Sequence, residues 1–314
     1  MFSHLKRRIG VLTAVTVMAA LVPTIASSPV SAAPATTAIV VVGSDATYAA
    51  CPTGAAAAAG FTDTTSTDVD CIAMFGITTG TTATTYSPTD SVTRWQMALY
   101  LTRALAPAGG TLGAGVDQGF TDISGKSDAI QLAINQIGEL GISNGKTATT
   151  FAPDDNVTRE EMAMFIERWL ENVKAGPGGQ SDADNDASLT AAQVTYVNSD
   201  CTVTVACTGK YNYTDVDAGS VTVEGANAIK ELYDMGIHDG VSATTFNPSG
   251  DMTRAAMATF MTTALDQTNA RPEGLWLQAS KYTNAGAHTP TLSVSDRDSS
   301  FAAIADTPVD VFYW

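Results

Sequence analysis

The stretch Gly141-Ile142-Ser143-Asn144-Gly145, running on through Thr149-Thr150-Phe151-Ala152-Pro153 to Val157-Thr158-Arg159-Glu160-Glu161-Met162-Ala163, decides the architecture, because the chain carries it three times. Upstream it stands as Gly76-Ile77-Thr78-Thr79-Gly80, Thr84-Thr85-Tyr86-Ser87-Pro88 and Val92-Thr93-Arg94-Trp95-Gln96-Met97-Ala98. Downstream it stands as Gly236-Ile237-His238-Asp239-Gly240, Thr244-Thr245-Phe246-Asn247-Pro248 and Met252-Thr253-Arg254-Ala255-Ala256-Met257-Ala258. In every copy the first Gly precedes the Pro by 12 positions and the Arg by 18. An aromatic-Thr-Asp triplet opens each copy: Phe61-Thr62-Asp63, Phe120-Thr121-Asp122 and Tyr213-Thr214-Asp215. Self-similarity of this kind marks a repeat architecture.

Each copy reads as helix, loop, helix. Ile130, Ile134, Ile137 and Leu140 recur at three- and four-residue steps, and Ala228, Ile229, Leu232 and Met235 do the same. Both stripes stop at a Gly suited to a left-handed C′ position, followed by an apolar residue that can fold back on the last turn. The first copy allows only a short helix, about 68–75. The second helix of each copy starts at Thr93, Thr158 and Thr253, which are N-caps, with Gln96 and Glu161 completing capping boxes. Val92, Val157 and Met252 face Met97, Met162 and Met257 as hydrophobic staples. Ala256 stands where the third box wants Glu.

Arg94, Arg159 and Arg254 all fall at N1, beside the positive end of the helix dipole, where a cation is mildly unfavourable. Helix stability therefore does not account for them. Two readings remain. Each Arg pairs with an Asp (Asp63, Asp122 or Asp215) and fixes repeat to repeat, or the three guanidinia line equivalent grooves and grip an anion, since the planar fork holds a carboxylate through two hydrogen bonds.

The 314 residues carry 16 Lys+Arg against 32 Asp+Glu, a formal net charge of −16. Residues 1–32 read as an export signal: Lys6, Arg7 and Arg8, an apolar run, then small residues ending in Val30-Ser31-Ala32. Losing those three cations takes the net charge to −19, which excludes loose binding to nucleic acid. A second run long enough to span a membrane is absent, so an exported chain without a transmembrane segment is expected. Cys51, Cys71, Cys201 and Cys207 favour disulfides over thiol chemistry. Cys201 and Cys207 are close enough to close a local loop, leaving Cys51 with Cys71, although four cysteines permit three connectivities.

The threefold frame resembles the S-layer homology domain over about residues 61–265. The resemblance implies a mainly α fold in which three helix-loop-helix repeats form a pseudo-threefold bundle. It also implies a non-enzymatic anchor at the cell wall, holding an acidic, pyruvyl-ketal-bearing secondary wall polysaccharide in grooves between repeats. The family's T-R-A-E signature matches Thr93-Arg94-Trp95-Gln96, Thr158-Arg159-Glu160-Glu161 and Thr253-Arg254-Ala255-Ala256, so its Arg stands in all three copies and its Glu only as Glu161. The candidate carbohydrate-binding set is then Arg94, Arg159, Arg254, Glu161 and Gln96 with Asp63, Asp122 and Asp215. The alternative is a surface-layer lattice protein whose repeats mediate self-association.

The chain divides into the signal 1–32, an N-terminal segment 33–58, repeats at 59–107, 118–173 and 211–267, an insertion at 174–210 and a tail at 268–314. In the insertion, Asp182, Asp184 and Asp186 imitate a calcium loop, yet Ala187 replaces its Gly and Gln193 its final Glu, so a solvated acidic loop is expected and Ca2+ is the one metal to consider. In the tail, Leu277, Leu292, Val294, Val309, Val311 and Tyr313 mark short alternating strands that resemble the start of an immunoglobulin-like module. Nothing supports catalysis. His238 sits at a variable loop position, occupied by Thr78 and Ser143 elsewhere, and reads as a tolerated loop residue rather than a base. There is no nucleophile elbow, zinc helix or phosphate loop.

Overall fold

The computed structural model describes residues 15–16, 49–176, 213–216, 219–238, 240–279 and 291–305. Its helices are α1 (Thr67–Met74), α2 (Arg94–Leu105), α3 (Asp128–Glu139), α4 (Arg159–Leu170), α5 (Val223–Asp234) and α6 (Arg254–Gln267). The strands are β1 (Val15–Thr16), β2 (Gly274–Ala279) and β3 (Thr291–Arg297). The architecture is mainly helical, and each of the three copies supplies one short-range pair: α1 and α2, α3 and α4, α5 and α6. No helix among the described residues is long and apolar enough to cross a membrane.

The helices end as their sequences dictate. Gly76, Gly141 and Gly236 adopt φ of 69°, 73° and 73°, and the amides of Ile77 and Ile237 reach back to the carbonyls of Ile72 and Leu232 at 2.8 Å. This is the Schellman closure, which satisfies carbonyls that the last turn would otherwise strand. At the second helices, Glu161 N–H donates to Thr158 Oγ1 at 3.2 Å while Glu161 Oε2 accepts from Thr158 N–H at 3.1 Å, a complete capping box. In the first copy only the return half is made, Thr93 N–H to Gln96 Oε1 at 3.0 Å, and Thr93 Oγ1 is buried without a partner. Thr253 still caps through Ala256 N–H at 3.2 Å. The six staple residues are completely buried.

The helices pack chiefly across copies. α2 packs on α3, α4 on α5, and α6 on α1, so each second helix lies against the first helix of another copy. The staple residues are also linked through the backbone. Val157 N–H donates to Val92 C=O at 2.9 Å, Met252 N–H to Val157 C=O at 2.8 Å, and Val92 N–H to Met252 C=O at 2.8 Å, which closes a ring.

Outside the copies, Cys51 and Cys71 are disulfide-bonded, tying the preceding segment to α1. Ala50 N–H donates to Asp266 Oδ1 at 2.6 Å and so extends that tie to α6. β2 pairs antiparallel with β3, Gly274 opposite Arg297 and Ala279 opposite Leu292, while Val15 and Thr16 pair with Leu292 and Thr291 on the other edge of β3. Arg297 Nη2 donates to both Asn269 O and Asn269 Oδ1 at 2.7 Å, docking the hairpin against the end of α6. The expected strands around Leu277, Leu292 and Val294 are therefore present. Val309, Val311 and Tyr313, the rest of 1–32, and most of the insertion lie outside the described residues.

Candidate functional site

A helix start leaves its first amides without intrahelical partners. Here a neighbouring copy supplies the acceptors. Arg94 N–H donates to Asp155 C=O and Trp95 N–H to Pro153 C=O, at 2.9 and 3.0 Å. Arg159 and Glu160 find Gly250 and Pro248, and Arg254 and Ala255 find Asp90 and Pro88, all at 2.8–2.9 Å. Each aromatic-x-Pro loop thus serves as the landing pad for the previous copy's second helix, with α6 landing on the first copy. The carbonyls that gather there also explain how a cation is tolerated at N1, since they offset the positive helix end.

The three arginines use their side chains at the same junctions. Arg94 Nε donates to Phe151 C=O at 2.7 Å, Arg159 Nε to Phe246 C=O at 2.6 Å, and Arg254 Nε to Tyr86 C=O at 2.6 Å. Each guanidinium lies between two rings of the neighbouring copy. Arg94 is 4.8 Å from the Phe151 centroid and 5.3 Å from Phe165, Arg159 is 4.7 Å from Phe246 and 5.4 Å from Phe260, and Arg254 is 4.5 Å from Tyr86 and 5.9 Å from Tyr100. Cation–π attraction holds the fork in this slot. The residues are only 2%, 6% and 4% exposed. Burial lowers the pKa of Arg94 and Arg159, opposed at Arg94 by Glu161.

The acidic triplet residues grip the same loops from the other side. Asp63 accepts from the amides of Tyr86 and Ser87, Asp122 from Phe151 and Ala152, and Asp215 from Phe246 and Asn247, all at 2.7–2.9 Å. The second residue of each pair (Ser87, Ala152, Asn247) has φ of 56–60°, a left-handed kink that turns both amides toward one carboxylate. The hydrogen bonds from Tyr86 and Ser87 hold Asp63 below the usual carboxylate range. Burial pushes Asp122 up, but the Phe151 and Ala152 amides outweigh it and the net shift is downward. Arg and Asp are consequently joined through one aromatic residue, the Arg on its carbonyl and the Asp on its amide, with no direct ion pair between them.

The three seams differ in charge. Arg94 Nη1 meets Glu161 Oε1 at 3.3 Å, and the same oxygen takes Lys146 Nζ at 2.6 Å. The positions matching Glu161 at the other two seams are Ala256, facing Arg159, and Gln96, facing Arg254. There Arg159 Nη2 and Arg254 Nη2 are buried without a hydrogen-bond partner. The first seam also carries Lys126, paired with Asp154 and 6.0 Å from the Trp95 ring centroid.

The ring slot is signalled in sequence by an aromatic six residues after each Arg: Tyr100, Phe165 and Phe260. Lys126 and Lys146 occur in one copy only, so repeat comparison could not single them out. His238 is a correction to the loop-residue reading: it is 6% exposed, stacks on Phe260 at 5.6 Å, and its Nε2 lies 2.9 Å from Ile229 C=O. Burial pushes its pKa down to about 3, so the ring is neutral and structural. Asp182, Asp184, Asp186, Cys201 and Cys207 lie outside the described residues. No cluster of three metal-ligating side chains occurs among the described residues.

Comparison with known proteins matches residues 119–163 and 212–258 to the S-layer homology domain. Those segments are the second and third copies. Domains of this kind are non-catalytic modules that anchor proteins to cell-wall polymers. The chain is also 31% identical, over 189 residues, to an endoglucanase of Bacillus sp. (strain KSM-635). That alignment covers 60% of this chain and 16% of the endoglucanase.

Proposed function

We propose that this chain is an exported, non-enzymatic anchoring module that holds an acidic cell-wall polysaccharide at the seams between three S-layer homology repeats. In this reading residues 59–107 form the first repeat, and the three copies make a pseudo-threefold bundle. The ring of backbone bonds through Val92, Val157 and Met252 supports that arrangement. The endoglucanase likeness, which covers 16% of that enzyme, fits a role as an attachment region.

The observation that carries the binding proposal is the pair of unmatched guanidinium nitrogens on Arg159 and Arg254. A buried charged donor without a protein acceptor is costly, and a ligand oxygen is one group that can complete it. A pyruvyl-ketal carboxylate is such an acceptor, planar and matched to the fork. These nitrogens are buried, so the ligand reaches Nη2 only when seam side chains move aside.

Co-sedimentation of the purified chain with isolated cell wall tests this. The double variant R159M/R254M is expected to lose binding by at least tenfold while keeping its helical circular dichroism. A folded double variant that sediments like the parent rules out the guanidinium grip.

A further inference from the structure

α4 and α5 meet across an unusually acidic contact. Arg168 Nη2 pairs with Glu224 Oε2 at 3.1 Å, and beside it the helices border a cleft of about 300 Å³ lined by Met164, Glu167, Glu171, Glu224 and Asn227. Glu231, two turns along α5 from Glu224, is 7% exposed. Its Oε1 accepts from Asn227 Nδ2 at 3.2 Å, and its Oε2 is buried with no partner. A buried carboxylate with one amide donor is strongly disfavoured as an anion, whereas a carboxylic acid loses little in the same place.

The charged groups around this pair come from both helices. On α4 and its C-cap they are Glu167, Arg168 and Glu171; on α5 they are Glu224, Lys230 and Glu231. Burial, then Glu167, pushes Glu231 up to about 8, and burial, then Glu171, pushes Glu167 up to about 7. Arg168, next to Glu167 in sequence, is already held by Glu224. Both carboxyls belong to the α4–α5 contact and burial is the leading cause of each upward shift, so around neutral pH the pair retains a proton.

We propose that Glu167 and Glu231 form a proton-operated latch between the second and third copies, closed while the pair holds a proton and loosened when both carboxyls ionise. The sign follows from linkage. A carboxyl raised on folding stabilises the native state at low pH, and that contribution is lost as pH rises through the folded value, here between about 7 and 8. In the window between about 7 and 8 the effect belongs to α4 against α5. Among the described residues the α2–α3 contact buries no carboxyl, and the α6–α1 contact holds Asp266, which burial pushes up only to about 6, so it is largely ionised below that window. Glu160, whose Oε1 accepts from both Thr222 N–H and Thr222 Oγ1 at 2.8 and 2.7 Å, keeps the helices tethered after ionisation. The seam of Arg159 joins the same two copies.

Amide hydrogen exchange at pH 6.5 and pH 9.0, corrected for intrinsic base catalysis, tests the latch without any ligand. Protection of 223–234 amides is expected to fall about tenfold at the higher pH, while 67–74 and 254–267 change less than twofold. Glu231→Gln, which copies the protonated form, should hold protection of 223–234 within twofold between the two pH values. Equal loss in E231Q, or no loss in the parent, overturns the proposal. Should E231Q fail to fold, carbon-13 titration of the parent's glutamate carboxyls decides: two midpoints above 6 are expected, and midpoints all below 5.5 overturn it.

Discussion

Replacing Arg94 and Arg159, each by Met, separates the structural work of these side chains from the work a ligand would ask of them. Met keeps most of the apolar stem and removes the charge. Both variants lose one charged hydrogen bond to a loop carbonyl, about 2 kcal/mol, and ring contacts of about 1 kcal/mol. Arg94→Met also removes the only arginine on Glu161 and leaves that half-buried carboxylate to Lys146, roughly another 1 kcal/mol, for a total near 4. Arg159→Met removes instead a buried cation whose Nη2 has no acceptor, and relief of that desolvation offsets most of the loss. Its net cost is expected at about 1 kcal/mol or less. Urea unfolding at pH 7 measures both. A difference of about 3 kcal/mol in the expected direction means Arg159 is retained at a stability disadvantage, which function must explain. Equal destabilisation of the two variants would refute the reasoning, because Arg159 would then be an ordinary structural strut.

Other outcomes follow from the same geometry. Reducing Cys51–Cys71, which closes a 20-residue separation, should cost about 3 kcal/mol by loop entropy, read as a lower urea midpoint in dithiothreitol. Gly145→Ala puts a Cβ 2.6 Å from Phe120 Cε1 and from Thr150 O at φ +76°, so it should destabilise by at least ~2 kcal/mol. Alanine at the exposed Ser124 provides the neutral control in the same melts. Because Asp63 and Asp122 are held below their ordinary values, their contribution is present above about pH 4 and disappears as pH falls through the lower folded value. Asp122→Asn should flatten the acid limb of the stability profile, and an unchanged limb would remove the loop-clamp role.

Much of the helical frame was legible because its causes are local. Thr158 with Glu161, Val157 with Met162, and Gly141 with Ile142 are contacts within five residues, so spacing alone exposes them. The Cys51–Cys71 link was legible by elimination only as a preference. What sequence did not disclose is between copies. Spacing places Arg94 at N1 but cannot say that its fork crosses to Phe151 of the second copy, since that depends on how three units dock. The Asp122 clamp was hidden for a related reason: it requires a left-handed Ala152, a residue with no intrinsic leaning toward that conformation. His238 looked like a loop residue because the other copies carry Thr78 and Ser143 there. All three are buried, and in the third copy the imidazole packs among Tyr213, Tyr233, Phe246 and Phe260. Glu231 gave no signal, since an acid in an amphipathic helix normally faces solvent.

The most direct test of the anchoring account is sedimentation of the parent chain with cell wall before and after mild acid removal of ketal-linked pyruvate. Binding that is strong to native wall and lost on depyruvylated wall is the result predicted for guanidinium seams that need a ligand carboxylate. Binding that survives depyruvylation unchanged contradicts it.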